Sequence, residues 1–171
     1  MRTARVVVLP YDSEWNEDFE RIKNELEVAL GDLIDGIEHV GSTSVVGMSA
    51  KPCIDIDVII KDYSVFNEVV ARLDRIGYIH EGDLGIKDRE AFKYSGKPHL
   101  AKHHLYVCPS YSDELHRHIT FRDYLRSRPD AVRKYSAVKE AAAELFFDNI
   151  DKYVEYKSPC IEELYAECGL K

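Results

Sequence analysis

Apolar and polar positions alternate from residue 54 to 60. Successive side chains of a strand point to opposite faces. Ile54, Ile56, Val58 and Ile60 therefore share one wholly apolar face, and Asp55, Asp57 and Ile59 share the other. The same period predicts strands at 37–40, 78–80, 89–94 and 100–108, with an extended lead-in at 6–9. In the strand at 100–108, Leu105 and Val107 take the buried side, which puts His104 and Tyr106 opposite. Helical spacing appears elsewhere. Trp15, Phe19, Ile22, Leu26, Ala29, Leu30 and Leu33 predict a first helix, capped at Asp12 or Ser13 and ended by Gly31 and Gly36. Phe66, Val69, Val70 and Leu73 predict a second, closed by Gly77. A helical turn is expected at 45–50 and a loop at 81–87.

Beyond Pro109 the pattern becomes helical. Leu115, Ile119, Tyr124 and Leu125 form one helix, which Pro129 breaks. Tyr135, Val138, Ala142 and Leu145 form the next. Ser158-Pro159 reads as a cap and first-turn proline, opening a last helix through Ile161, Leu164, Tyr165 and Cys168. This order predicts an α/β (α+β) fold, a mixed sheet with flanking helices and a helical C-terminal third. The 171 residues suit one domain, 1–171, with the sheet in about 1–109 and the helical part in about 110–171.

Charge narrows the partners. Lys plus Arg is 23 against 31 acids, a net −8, which argues against general affinity for a nucleic-acid backbone. No apolar run approaches the roughly 20 residues of a membrane span. The run at 6–9, after Met1-Arg2-Thr3-Ala4-Arg5, is too short for a signal-peptide core. Cys53, Cys108, Cys160 and Cys168 are scattered, so a reduced cytoplasmic setting is expected.

The chemistry centres on Asp55 and Asp57. Two carboxylates this close repel, and a bound cation removes that cost. Hard carboxylate oxygens suit Mg²⁺, which also holds substrate phosphates. Ahead of them lies Gly41-Ser42-Thr43-Ser44, a small bendable loop suited to cradling phosphate, with twelve residues between Ser42 and Asp55. A solvated strand face is the plainer alternative.

A hydrophobic residue, Gly-Ser, a short linker, then Asp-Ile-Asp-Val resembles the signature of the nucleotidyltransferase superfamily. There the Gly-Ser loop holds nucleotide phosphates and the two Asp residues hold Mg²⁺. The stretch His39-Val40-Gly41-Ser42-Thr43-Ser44-Val45 with Gly47-Met48, Ala50-Lys51-Pro52 and Asp55-Ile56 resembles the GrpB family, a branch of that superfamily. Pro10-Tyr11-Asp12 with Trp15, Gly77-Tyr78, His103-His104-Leu105-Tyr106-Val107 and Phe121-Arg122-Asp123-Tyr124-Leu125-Arg126 extend the likeness over nearly the whole chain. The resemblance implies a nucleotidyltransferase-like fold. It also implies a link to dephospho-CoA kinase, because a similar domain is fused to that enzyme in some bacteria.

The chain departs from the superfamily pattern at one place. Where a third carboxylate is usual, the strand at 100–108 carries His104, and the family's second histidine there is Tyr106. His104 becomes a candidate ligand for Mn²⁺ or Zn²⁺, or a general base. His103 belongs with the core. Lys51, Arg89, Lys93 and Arg122 are candidate phosphate partners beside Gly41, Ser42 and Thr43. His118, Arg122 and Arg126 share a helix face at four-residue steps, with a solvated face expected for Arg126.

Three readings follow. One is a nucleotidyltransferase with Mg²⁺ or Mn²⁺ on Asp55, Asp57 and His104. The second is a nucleotide- or phosphometabolite-binding accessory module, and the third a metal-dependent phosphohydrolase. All take a nucleoside triphosphate or related phosphorylated small molecule. Replacing both aspartates by asparagine is expected to leave metal-free stability equal or higher, by relieving the repulsion.

Overall fold

A computed structural model describes residues 5–170; Met1 to Ala4 of the charged start lie outside the described residues. Five strands form one mixed sheet in the order β1-β2-β5-β4-β3, where β1 is Gly36–Val40, β2 Ile54–Ile60, β3 Tyr78–Gly82, β4 Glu90–Tyr94 and β5 His103–Pro109. β2 pairs antiparallel with β1 and parallel with β5, and β4 pairs antiparallel with β5 and β3. Five helices flank it: α1 (Glu14–Leu30), α2 (Phe66–Arg75), α3 (Asp113–Ser127), α4 (Pro129–Leu145) and α5 (Ile150–Glu167). Among the described residues no helix is long and apolar enough to cross a membrane.

The register places the chemistry. Asp55 lies beside His104 and Val40, and Asp57 beside Tyr106 and Glu38. Ala91 lies beside Tyr106 on the far side of β5. All of these side chains therefore share one face of the sheet. The opposite face carries Ile54, Ile56, Val58 and Ile60, each at most 1% exposed, under α1 and α2 in the main core. Each such side chain contributes about 1.5–3 kcal/mol on burial, which fixes the strand's facing.

A second core joins the stretch after the Gly41 loop to the C-terminal helices. Val45 and Met48 pack with Leu125 of α3, Val132 and Tyr135 of α4, and Cys160 and Leu164 of α5. The three helices thereby sit over the loop and the Asp57 end of the sheet. The face formed by β4 and the outer part of β5 is left open.

Local details differ from the sequence expectation. The helical turn falls at Ser42–Ser44, not at 45–50, because Ser44 N–H and Val45 N–H return to the carbonyls of Gly41 and Ser42. Pro159 does not open a helix but lies inside α5, whose N-cap is Asn149 accepting from Lys152 N–H at 3.1 Å. Proline removes the bond that would reach the carbonyl one turn back. The Ser158 hydroxyl donates to the Val154 carbonyl at 2.6 Å beside that gap.

Candidate functional site

Each aspartate is met by a histidine. His104 Nδ1–H donates to Asp55 Oδ1 at 3.0 Å across the β2–β5 pair. His118, reaching down from α3, donates from Nδ1 to Asp57 Oδ2 at 2.6 Å, and its Nε2 faces Glu114 Oε1 at 3.1 Å. Asp55 remains part-exposed, whereas Asp57 is fully buried and its Oδ1 has no hydrogen-bond partner. Asp57 thus lies on the expected face, but under α3.

The electrostatics follow from these pairs. Hydrogen bonding to Asp55, then to Cys53, raises His104 to about 10, so it is an imidazolium at neutral pH. A protonated His104 donates to Asp55 and cannot take up a proton as a base. Burial lowers His118, but the bond to Asp57 and the charges of Asp57 and Glu114 outweigh it, and the net shift is upward. Burial raises Asp57, opposed in part by His118. The carboxylate repulsion expected from the sequence is therefore offset in part by the His104 imidazolium and by the hydrogen bond from His118.

Gly41 is required where it stands. Its φ is +74° with ψ near 180°, a region essentially reserved for glycine. A Cβ built there would lie 2.3 Å from Asp55 Oδ2. The loop backbone packs directly on the carboxylate, leaving no room for a side chain between them.

The hydroxyls of the loop are divided in use. Thr43, 2% exposed, hydrogen-bonds His39 Nε2 at 2.9 Å, and His39 stacks on Phe19 with centroids 4.6 Å apart. Its side chain therefore holds the loop and is not free for a ligand. Ser44 Oγ donates to the Gly41 carbonyl at 2.5 Å. Ser42 faces the cleft, where it accepts from Lys139 Nζ at 2.8 Å.

Lys139 and Lys157 change the site most. With Lys51 they line a cavity of about 140 Å³ that also touches Ser42, Asp55 and His104. That is room for about five liquid waters, the scale of a phosphate group with its hydration. Lys139 is only 2% exposed. Tyr153 adjoins two of the amines, with Lys157 Nζ 4.8 Å and Lys51 Nζ 5.6 Å from its centroid. Burial and then the charge of Lys157 lower Lys139 to about 7. Burial and then Lys51 lower Lys157 to about 8. Neither lysine stood out as a site residue in the sequence. The signal was a lone charge in each apolar stripe: Lys139 lies four after Tyr135, and Lys157 four after Tyr153.

The other expected cations are dispersed. Arg122, 9% exposed, is held by Glu38 at 2.6 Å, the His39 carbonyl at 3.0 Å and Asp123 at 3.0 Å. It fastens α3 to β1. Arg126 donates to the Ser44 carbonyl at 3.0 Å, so it is a brace for the loop, not a purely solvated charge. Arg89 sits just before β4, its guanidinium 4.4 Å from the Tyr106 ring, and its buried Nε has no partner. Lys93 is exposed and lines the open groove of β4 and β5 with Lys102 and His104. Lys51 alone of the sequence-derived cations reaches the lysine cavity.

A divalent cation fits this donor set in one way. Among the described residues no three His, Cys, Asp or Glu side chains form a cage. Mg²⁺ needs none, being held by one or two carboxylates, water and substrate phosphates. Part-exposed Asp55 meets that requirement directly, and the unpartnered Asp57 Oδ1 on the same face joins it once the cover from α3 gives way.

Comparison with known proteins agrees with this architecture. The family described as "GrpB protein" matches residues 5–167. The chain is 32% identical to the glutamate-rich protein GrpB of Alkalihalophilus pseudofirmus, over 96% of each. It superposes on the crystal structure of conserved protein GrpB from Enterococcus faecalis with TM-score 0.82 and 32% identity, covering 95% of this chain and 96% of that one. It is also 30% identical to UPF0157 protein YqkA of Bacillus subtilis and to a dephospho-CoA kinase of Mycolicibacterium paratuberculosis. It covers 92% and 95% of itself in those matches and spans 46% of each relative. At 11% and 16% identity, Cid1 poly(U) polymerase and the GLD-2/RNP-8 complex share the fold, with TM-scores of 0.53 and 0.56. The matches cover 77% and 78% of this chain and 45% and 55% of those chains. The chain belongs to the GrpB family and has a nucleotidyltransferase-like fold.

Proposed function

We propose that this chain binds the polyphosphate of a nucleoside triphosphate together with Mg²⁺ or Mn²⁺. One phosphate group occupies the lysine cavity beside Ser42, and the cation rests on Asp55 and Asp57. One observation carries the reading. Three lysines converge on a cavity beside Ser42, with a buried amine hydrogen-bonded to that loop residue, and the Asp55 carboxylate is the one anionic side chain on the same wall. Cations crowded in this way disfavour one another until an anion arrives. A metal on the aspartates would neutralise the remaining phosphate charge.

Calorimetry with a triphosphate and Mn²⁺ tests this. Wild type should bind, and Lys139→Met and Lys157→Met should each weaken binding. A charge-assisted contact contributes about 1.5–3 kcal/mol, or about ten- to a hundredfold in affinity. Absence of heat at protein concentrations that detect millimolar affinity would overturn the reading.

Nucleotidyl transfer from that complex is the fuller version, with the open groove of β4 and β5 admitting an acceptor. A specific observation favours the accessory reading instead. β5 presents His104 and Tyr106 toward the aspartates where a third carboxylate would stand, and His104 is already protonated and bonded. The relation to dephospho-CoA kinase, of which the chain spans 46%, supports the same role. In this reading the protein is a cytoplasmic sensor or carrier of a phosphorylated small molecule.

A further inference from the structure

A second cavity, of about 210 Å³, shares Ser42 and Asp55 with the lysine cavity. Its walls differ in kind. Phe121 of α3, Tyr135 of α4 and Tyr165 of α5 supply three aromatic rings, and Gly41 supplies bare backbone. The Phe121 and Tyr165 rings meet edge-on, with centroids 4.7 Å apart and planes at 81°. Phe121 and Tyr135 centroids are 6.3 Å apart. The Arg117 guanidinium lies 5.4 Å from the Tyr165 centroid at the cavity wall.

Tyr135 is buried in the second core, with Lys139 Nζ 4.3 Å from its centroid, whereas Phe121 at the border of that core and Tyr165 beside it are only half-buried. The remaining walls are largely polar, with Ser42, Asp55, Arg117, His118 and Arg122 beside the rings, so the cavity offers stacking surfaces and charged groups together. Aromatic side chains and Arg planes are also the surfaces on which nucleobases stack. Because both cavities touch Ser42 and Asp55, one ligand lying across the loop meets amines at one end and rings at the other.

We infer that the aromatic cavity between α3, α4 and α5 receives the nucleobase of the ligand, making the chain selective for nucleotides over bare polyphosphates. This rests on the polyphosphate reading above and adds a substrate class to it. Stacking is sequence-tolerant, since every base has a π-face. Purine and pyrimidine triphosphates should therefore both benefit.

The test is calorimetry with Mn²⁺ on three probes: inorganic tripolyphosphate, ATP and UTP. All three should bind wild type, and both nucleotides should bind roughly 5- to 150-fold more tightly than tripolyphosphate. Tyr165→Leu should remove that advantage while leaving tripolyphosphate affinity unchanged. Fluorescence of 1,N⁶-ethenoadenosine triphosphate should change on binding to wild type and respond less with Phe121→Leu. If tripolyphosphate binds as tightly as either nucleotide, this inference falls and the polyphosphate reading stands. If none of the three binds, the underlying reading falls and takes this one with it. The wild-type comparison needs no variant to fold.

Discussion

At the scale of single residues, the loop glycine and the buried aspartate make the sharpest claims. Gly41→Ala places a methyl group 2.3 Å from Asp55 Oδ2 in a backbone conformation with φ +74°. It should cost on the order of 1–3 kcal/mol of stability. A melting temperature within a degree of wild type would contradict the close packing of loop on carboxylate. Asp57 carries the second claim. From the sequence, two unpaired carboxylates make asparagine substitution neutral or stabilising. The structure reverses that sign, because His118 already bonds Asp57 Oδ2 inside a buried site. Asp57→Asn should therefore lower metal-free stability by about 1–3 kcal/mol, read by urea denaturation. A gain would mean that the pair is under net repulsion after all. His118 was visible in the sequence only as a residue sharing a helix face with Arg122. Nothing local to α3 says that this face crosses the sheet at Asp57, because that is set by packing of the second core.

At the scale of elements, period-two and period-3.6 patterns located all five strands and the first four helices, with ends shifted by a few residues. The alternation in β2 was legible because a wholly apolar face tolerates only one facing. The failure at Pro159 has a physical cause. Proline is a strong helix breaker on its own, but packing of Cys160 and Leu164 in the second core and of Tyr153 against Ala142 of α4 keeps α5 continuous through it. Pro159→Ala restores one backbone bond and should raise stability by about 1–3 kcal/mol, seen as a higher melting temperature. A lower one would show that the ring packs where the helix needs it. The lysine cavity was missed for the converse reason. Its lysines come from the segment just before β2, from α4 and from α5, and only the folded chain brings them together.

For the whole molecule, the net charge of −8 is misleading at the site itself. The cleft concentrates amines in an acidic chain, and their proton affinities turn that into a measurable linkage. Lys139 and Lys157 titrate near 7 and 8, below the ordinary lysine value of 10.5. The folded state therefore disfavours their charged forms. That penalty is fully present below about pH 7, and stability from this source rises with pH from there to the unfolded lysine value. His104 acts in the opposite sense. Its stabilisation is complete below the unfolded value of 6.5 and is lost as pH rises through about 10. An anion in the cavity restores charge to the lysines, so polyphosphate binding at pH 8 should take up roughly one proton. Calorimetry in buffers of different ionisation enthalpy reads this number, and Lys139→Met should reduce it. Release of protons on binding would place the anion elsewhere.

The fold and the Gly41–Asp55–Asp57 frame were legible because local pattern and spacing carry them. The cavity chemistry was not, because it depends on how three C-terminal helices close over the loop. The central claim is that this closure makes one site, with a cation on the aspartates and a phosphate group on the lysines. The most direct measurement is a crystal structure with Mn²⁺ and a non-hydrolysable nucleoside triphosphate, with anomalous diffraction to locate the metal. The account predicts an anomalous peak bonded to Asp55 and Asp57, and phosphate oxygens within hydrogen-bond distance of Ser42, Lys139 and Lys157. A peak away from both aspartates, or a lysine cavity holding no phosphate group, would contradict it.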